Sequence, residues 1–458
     1  MARTVKRLRG LKGLVHDLVD ATTHLVMEGH ESTARSVRRV TDLAPEPVAD
    51  VARTVDSARR MSTDGVLTTI RVVNRAVEVA TDLGIDVAQL IAARRATEEE
   101  PRPGLAALPM RSDAIESWPW LGDATLGLLN GAIGDRLASR DNGLDLGMLF
   151  RVGDRYVALD DVDAMGELMR DAGPRVAIFV HGLGTTEWCW SLEAEAYHGD
   201  PAVHFGSLLQ KDLGYFPVFV RYNTGRHVSE NGRELAAGLA SLMTACATPP
   251  EELVLIGHSM GGLVVRSACH YAQEAGHPWV ELVRRVFCLG SPHGGAPLEK
   301  AGNVLTGILG AIDLPATLVI ARLLEGRSAG IKDLRHGSLV DEDWAGRDPD
   351  ALIAEARREI PMLPHASYHF VSATLTRDPA HPMGALIGDL LVRVPSALLP
   401  ASERGPRMQD VVRERHFEVE TATYGGVMHH QLQCHPDVYE VIRRACAGGD
   451  DVARPSDG

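Results

Sequence analysis

The stretch Leu253–Val265, LVLIGHSMGGLVV, places Ser259 between Gly257 and Gly261, directly after an apolar run. Its first four residues are apolar and partly β-branched, which predicts a buried strand. From Gly262 onward the apolar residues recur at helical spacing, which predicts a helix. The chain must therefore pass from strand to helix within about two residues, and a turn that tight forces strained backbone angles at the serine.

A serine in such a turn matches the nucleophile elbow, G-x-S-x-G. In that geometry the serine Oγ projects from the end of a sheet, above the N-terminus of a helix. The two flanking glycines lack a β-carbon, so neighbouring backbones can approach the turn. The five-residue pattern also arises by chance, and an ordinary Gly-Ser loop is the alternative. The strand before it and the helix after it favour the elbow.

The composition is that of an ordinary soluble protein, with 458 residues, 45% of them hydrophobic and 24% charged. The formal net charge of −14 disfavours nucleic acid as a partner. The six cysteines include no C-x-x-C pair, which predicts buried free thiols in a reducing compartment. The basic start, residues 1–13, precedes no clean apolar run, and no run of transmembrane length occurs. We therefore expect a cytoplasmic protein, with peripheral membrane contact as the alternative.

Patterning divides the chain into four parts. Residues 1–97 carry apolar residues at helical spacing and predict an N-terminal helical module. Residues 98–112 begin with the charged, proline-bearing EEEPRPG and predict a linker. Residues 113–446 alternate strand and helix patterns and form the main predicted domain. The polar residues 447–458 predict a disordered tail.

Within the main domain, two short alternating strands flank Gly153-Asp154, which is a hairpin signal. Six further apolar runs follow, separated mostly by helical stretches: 175–180, 216–221, 253–256, 285–289, 368–375 and 416–421. This βαβ pattern predicts a doubly wound, mostly parallel, eight-stranded α/β sheet with an antiparallel hairpin at one edge. In such sheets the ligand site lies beyond the carboxyl ends of the strands.

A serine hydroxyl needs a base to take its proton, commonly a histidine that a carboxylate orients. On this fold the chain order is serine, acid, histidine. His429 follows the last predicted strand, after the flexible Gly425-Gly426 pair, and is the predicted base. Its neighbour His430 is the main rival. Three other histidines fit the order or the geometry less well: His258, His293 and His435.

The acid is expected after the seventh predicted strand, where Asp378 and Asp389 both qualify. Asp378 lies in RDPAHP, a sequence typical of a turn. Asp389 lies among apolar neighbours in IGDLLVRVPSAL, where a buried carboxylate needs a partner that an imidazole N–H supplies. We therefore predict Asp389 as the acid and keep Asp378 as the alternative.

Two backbone amides are candidates for binding an oxyanion. The residue after the nucleophile, Met260, supplies one N–H. The second is expected from the loop after the third strand, HGLGTTEWCW, where Gly182 and Gly184 let the backbone curl towards the site. The Leu183 N–H is the predicted donor in that loop. A plain glycine turn is the alternative, and it leaves the His181-Gly182 pair unexplained.

The long insertion 296–365 separates the sixth and seventh predicted strands. Its stretch 303–324, NVLTGILGAIDLPATLVIARLL, is strongly apolar with a proline break. Next to a nucleophile, such a segment predicts a helical cap over the site, and an apolar cap favours apolar acyl chains. Two core helices of the main domain are the alternative interpretation.

Several segments together make the sequence resemble the serine α/β-hydrolases, in particular lipase-like members akin to the GPI inositol-deacylase branch: FVHGLGTTE, RYNTGRHVSENG, LVLIGHSMGGLV, LGSPHGGAPLE, GDLLVRVPSA and GGVMHHQLQCHPDVY. The resemblance covers about Asp141 to Ala445. It implies that Ser259 is the nucleophile, Asp389 the acid and His429 the base.

The resemblance also implies an α/β-hydrolase fold and hydrolysis of an ester or amide without a cofactor. The hydrolase region lacks the ligand spacing of a metal site, so we expect no metal. Two positions depart from the family's motifs: Leu390 replaces the glycine of G-D-G-x-V, and Met428 replaces the asparagine of G-x-N-H. We expect a serine esterase or lipase acting on small-molecule or lipid esters with apolar acyl chains. The alternatives are an acyltransferase with the same triad and a non-catalytic binding module. The basic N-terminal residues offer a lipid contact, and the oligomeric state is left open.

Overall fold

The computed structural model describes residues 118–296, 328–346, 358–378, 389, 392–398 and 419–448. The predicted N-terminal helical module, the predicted linker and nearly all of the predicted tail lie outside these residues. Residues 297–327 of the predicted cap, which include its most apolar stretch, also lie outside the described residues.

Eight strands form one sheet: β1 Met148–Val152, β2 Arg155–Ala158, β3 Arg175–Val180, β4 Phe216–Tyr222, β5 Glu252–His258, β6 Val283–Leu289, β7 Ser367–Thr374 and β8 Val419–Gly425. Their order across the sheet is β2-β1-β4-β3-β5-β6-β7-β8. β1 pairs antiparallel with both β2 and β4, and the remaining neighbours pair parallel. The predicted mostly parallel sheet with a hairpin at one edge is therefore confirmed.

Helices separate most of the strands: α1 Trp118–Ser139, α2 Val162–Leu168, α3 Ala194–His198, α4 Phe205–Leu213, α5 Val228–Ala245, α6 Met260–Glu274, α7 Ala329–His336, α8 Val394–Ala397 and α9 Pro436–Ala447. Short 3₁₀ helices cover Glu187–Ser191, Pro278–Leu282, Asp341–Asp343 and His429–Gln433. Among the described helices, none combines the length and the apolar character needed to cross a membrane. All six cysteines are buried and form no disulfide, as the sequence predicts.

The sheet is covered on both faces, because alternate residues of its central strands enter two separate hydrophobic cores. On β5, Leu253 and Leu255 join the core that contains residues of α5 and α6. Val254 and Ile256 join the second core, which contains residues of α4 and α9. Period-two alternation sends successive side chains to opposite faces, so a continuous apolar run is what a strand buried on both faces requires.

The described parts of the insertion 296–365 pack into the first of these cores. Ile331 and Leu334 of α7 are buried there, together with Ile360 and Leu363. Backbone hydrogen bonds tie α7 to the main sheet's loops, since the Gly330 N–H donates to the Gly225 carbonyl over 3.0 Å. These parts of the insertion therefore complete the main domain.

Strand register brings three loops to one edge of the sheet. Val180 of β3 pairs with Gly257 of β5, and His258 pairs with Leu289 of β6. The segments that follow these strands therefore begin side by side. They are the loop His181–Gly184 (the HGLG loop), the turn at Ser259 and the segment that starts at Gly290. This is the carboxyl edge, where parallel α/β sheets bind their ligands.

The turn between β5 and α6 has the strain that the sequence predicts. Ser259 has φ 54° and ψ −124°, a left-handed φ that non-glycine residues seldom adopt. The backbone around it is crowded. A β-carbon on Gly257 would lie 2.4 Å from the Gly262 nitrogen, and one on Gly261 would lie 2.2 Å from the Val180 carbonyl oxygen. Only glycine at these two positions lets α6 start against β3 and β5.

We therefore expect Gly261→Ala to lower the free energy of unfolding by about 3 kcal/mol, because the added methyl group meets backbone that cannot yield. Urea denaturation measures this change. The matched control is Gly173→Ala, since a β-carbon on Gly173 meets nothing within 4 Å. That control should stay within about 0.5 kcal/mol of the parent protein. Equal stability of the two variants would show that the turn is not crowded.

Candidate active site

Ser259 lies at the end of β5, as the N-cap residue of α6. Its backbone is fixed on both sides, because its N–H donates to the Leu289 carbonyl over 2.8 Å and its carbonyl accepts from the Gly262 N–H over 3.1 Å. The residue is 7% exposed. A hydroxyl held there stands above the first turn of a helix, whose N–H groups favour negative charge.

Asp389 and His429 form a buried pair at the same edge. The His429 Nδ1 lies 2.7 Å from Asp389 Oδ2, and both residues are less than 5% exposed. The second carboxylate oxygen of Asp389 accepts the Val392 N–H over 2.8 Å. A carboxylate oxygen only accepts, so the proton of this bond lies on Nδ1, and in the neutral imidazole the lone pair is then on Nε2. That Nε2 is buried, and no group in the described parts of the chain hydrogen-bonds to it.

Ser259 and His429 both contact the segment Leu289–Gly290. The Ser259 N–H is bonded to the Leu289 carbonyl, and the His429 Cε1 lies 3.0 Å from where a β-carbon would stand on Gly290. The structure thus brings the predicted nucleophile and the predicted base to one two-residue segment. Ser259 Oγ does not hydrogen-bond to the His429 Nε2 in this arrangement. Such bonds are often long in proteins without substrate.

The 3₁₀ helix that begins at His429 is held at several points along its length. His258 Nε2 lies 3.0 Å from the His429 carbonyl oxygen. His430 Nε2 lies 3.1 Å from Glu193 Oε1, and His198 Nε2 lies 3.0 Å from the Cys434 carbonyl oxygen. These bonds fix the backbone from which the His429 side chain projects.

The rival candidates occupy other surroundings. His430 faces Glu193, and Asp378 lies exposed in the turn after β7. His435 caps α9, since its Nδ1 accepts the Asp437 N–H over 3.2 Å. His293 Nδ1 lies 3.3 Å from an Arg266 guanidinium nitrogen. Of the acid and base candidates, the structure pairs Asp389 with His429.

The HGLG loop comes close to Ser259. A β-carbon on Gly182 would lie 2.9 Å from the Cβ of Ser259. His181 anchors the loop: its Nδ1 lies 3.0 Å from the Gly182 carbonyl oxygen, and its own carbonyl accepts the Tyr222 hydroxyl over 2.8 Å. Burial lowers the pKa of His181 to about 4, so this imidazole stays neutral at neutral pH. The Gly184 N–H donates to Thr224 Oγ1 over 3.0 Å.

The two predicted oxyanion donors are backbone amides at this edge. Met260 is the first residue of α6, so no intrahelical carbonyl can accept its N–H. Leu183 is buried in the HGLG loop. Within the residues that the structure describes, neither N–H donates to a protein acceptor. Both are therefore available to a negatively charged oxygen.

A buried ionic cluster lies at the start of the 3₁₀ helix that follows the HGLG loop. Arg221 of β4 binds Glu187 through two nitrogens, with Nε to Oε2 at 2.7 Å and Nη2 to Oε1 at 2.6 Å. The Tyr156 hydroxyl donates to Glu187 over 2.6 Å, and Arg221 also reaches Asp123 over 2.8 Å. Burial opposes ionisation of Glu187, but the hydrogen bonds and charge of Arg221 outweigh it and lower the pKa of that carboxyl. Glu187 opens the 3₁₀ helix that follows the loop.

The amino-acid sequence alone does not predict this cluster. Arg221 ends a predicted buried strand, and a charge in such a strand requires a buried partner. The partner Glu187 lies 34 residues earlier in the chain, and nothing local in the sequence pairs the two. The signal that was available is that both residues fall in segments carrying the family resemblance.

Part of the chain is similar to known proteins. Residues 176–345 match the family model described as a PGAP1-like alpha/beta domain. Two proteins named probable esterase PIR7A, from Oryza sativa subsp. indica and subsp. japonica, are 36% identical over 96 residues. That match covers 21% of this chain and 33% of each rice protein, so the chain spans about a third of the length of these curated relatives. The predicted resemblance to α/β-hydrolases of the esterase and lipase type is confirmed.

Several solved structures of esterases and related proteins are similar to this chain at low sequence identity. A lipase-esterase related protein from Clostridium acetobutylicum is 16% identical, with a TM-score of 0.31 over 59% of this chain and 94% of that one. An esterase from Pyrococcus furiosus is 15% identical, with a TM-score of 0.31 over 60% and 82% of the two chains. A hyperthermophilic esterase from Pyrobaculum calidifontis is 15% identical, with a TM-score of 0.32 over 60% and 75%.

We expect Arg221→Met to lower the free energy of unfolding by about 3–5 kcal/mol, because it leaves the Glu187 carboxylate buried without its cation. The double variant Arg221→Met with Glu187→Gln should lose less than Arg221→Met alone, since the buried charge is removed too. Urea denaturation of both single variants and the double variant gives the coupling energy. Strict additivity of the two single changes would contradict the pairing.

Proposed function

We propose that this chain is a serine hydrolase that cleaves carboxylic esters through Ser259, His429 and Asp389. The single observation that supports it most is the buried Asp389–His429 pair, which lies against the same segment, Leu289–Gly290, as the strained Ser259. Backbone strain at one residue and burial of a charged pair both lower the stability of the fold. Such destabilising features cluster at active sites.

In the first step, the His429 Nε2 takes the proton of Ser259 Oγ as that oxygen attacks the ester carbonyl carbon. Asp389 accepts from Nδ1, holds the ring in the tautomer that leaves Nε2 basic, and stabilises the imidazolium that forms. Both residues lie against the same segment, Leu289–Gly290, at the carboxyl edge of the sheet.

The carbonyl oxygen becomes an oxyanion in the tetrahedral intermediate. The Leu183 and Met260 N–H groups donate to it, and the N-terminal end of α6 adds a favourable dipole. Removing one such donor costs about 10²–10³ in turnover in a comparable site. His429 then returns its proton to the departing alkoxide oxygen, which leaves an acyl group on Ser259.

Water completes the cycle by attacking the acyl-enzyme with His429 again as the base. We place esters with apolar acyl chains first among substrates, because residues 303–324 of the insertion are strongly apolar. Lipid esters belong to this class, and the basic residues 1–13 would suit an anionic membrane surface. If an alcohol replaces water in the last step, the same residues perform acyl transfer.

We expect a fluorophosphonate probe to label the folded protein, and Ser259→Ala to abolish that labelling, since the probe reacts with activated serine hydroxyls. Labelling is measured by mass spectrometry of the intact protein. Ser291→Ala is the matched control, because Ser291 is also buried at the carboxyl edge and should leave the label in place. Absence of label on the folded parent protein would refute the hydrolase.

We expect Asp389→Asn to lower kcat by about 10⁴-fold, because an asparagine leaves the imidazole in the wrong tautomer. The measurement is hydrolysis of p-nitrophenyl esters of increasing acyl length, with and without added alcohols. The exposed Asp378→Asn is the control and should keep the parent's activity.

A large loss of kcat in Asp378→Asn, with the parent's kcat retained in Asp389→Asn, would assign the acid to Asp378. Acyl-alcohol products that outnumber free acid would identify an acyltransferase. A rate that falls steadily with chain length would contradict the preference for apolar acyl groups.

A further inference from the structure

His258 links two parts of the site and has no place in the steps above. It is the last residue of β5, directly before Ser259, and it is 5% exposed. Its Nε2 lies 3.0 Å from the carbonyl oxygen of His429, which is 171 residues away along the chain. The two imidazole rings lie 4.8 Å apart between centroids. The nucleophile elbow and the base-bearing loop therefore meet through this side chain.

The chemistry of the contact fixes the state of the His258 ring. A carbonyl oxygen only accepts, so His258 Nε2 carries the proton and donates it. Nδ1 is then unprotonated, and among the described residues this buried nitrogen has no hydrogen-bond partner. Burial, reinforced by the nearby His429, lowers the pKa of His258 well below its usual value. The ring therefore stays neutral beside an imidazole that becomes cationic during the proposed reaction.

We infer that His258 is a positioning residue, whose Nε2–H holds the His429 backbone against the elbow so that the His429 imidazole stays aligned between Asp389 and Ser259. This inference rests on the proposed function of those three residues. Asp389 holds the ring at Nδ1 but cannot hold the backbone that carries it. The bond from His258 supplies that second constraint at residue 429 itself.

Apart from the Asp389–His429 pair, the other side-chain hydrogen bonds to the segment 429–434, here called the base-bearing loop, act at residues other than His429. His430 meets Glu193 one residue further on, and His198 bonds the Cys434 carbonyl at the loop's far end. Either can keep the loop folded, but neither joins residue 429 to the strand that carries the nucleophile. A displacement of about 1 Å at a catalytic group can cost about 10²-fold in rate, so this local constraint matters for turnover.

Two substitutions separate positioning from packing. Gln places an amide N–H near the position of the imidazole Nε2, whereas the shorter Asn does not reach it. We expect His258→Asn to lower kcat on a p-nitrophenyl ester by about 10²-fold with little change in KM, and His258→Gln to keep kcat within about 10-fold of the parent.

His198→Asn is the structural control, since it removes a comparable bond from the far end of the same loop. It should lower thermal stability without the loss of kcat expected for His258→Asn. Equal kcat in the parent and His258→Asn would overturn the inference, as would equal loss in His258→Asn and His258→Gln. Fluorophosphonate labelling of the parent protein distinguishes failure of the proposed hydrolase from failure of the His258 inference. An unlabelled parent refutes the hydrolase. A labelled parent whose His258 variants keep the parent's kcat refutes only the positioning role.

Discussion

The crossing from β5 to α6 is the constraint on which the rest of the site depends. Ser259 sits at φ 54° because the helix starts within one residue of the strand's end, hard against the backbone of β3. The parallel register of β3, β5 and β6 then sets where the neighbouring loops begin. A serine in an exposed loop would have no fixed position. Ser259 is held in place because its N–H bonds to Leu289 and its carbonyl bonds to Gly262.

Two buried acids near this turn follow the same electrostatic rule with different results. A buried carboxylate is tolerable only with a partner and with its other oxygen satisfied. Glu187 accepts hydrogen bonds from two guanidinium nitrogens of Arg221, which gives a permanent ion pair just after the HGLG loop. Asp389 receives one imidazole N–H and one backbone N–H. The imidazole can gain and lose a proton at its other nitrogen, so this second pair can take part in chemistry, whereas the first cannot.

Local sequence patterns were sufficient to predict the sheet, the strained turn at Ser259, and the burial of Asp389 in contrast to the exposed Asp378. Each of these depends on neighbouring residues: apolar runs, flanking glycines, and the apolar surroundings that bury one aspartate while a turn sequence exposes the other. The Arg221–Glu187 pair and the bond from His258 to the His429 carbonyl could not be predicted in this way. They join residues 34 and 171 positions apart, and their partners are fixed only by the folded packing.

Gly290 shows how a motif can carry a steric requirement that its letters do not reveal. In LGSPHGG the glycine at this position reads as one more turn residue, and its φ of +62° fits that interpretation. In the fold, a β-carbon there would stand 3.0 Å from the His429 Cε1. Because Leu289, one residue earlier, holds the Ser259 N–H, a side chain at residue 290 would crowd His429 and Leu432 at the segment that also anchors Ser259. The positive φ of Gly290 and this crowding both favour glycine there. The neighbours are side chains that can shift, whereas a β-carbon on either glycine of the elbow would meet backbone.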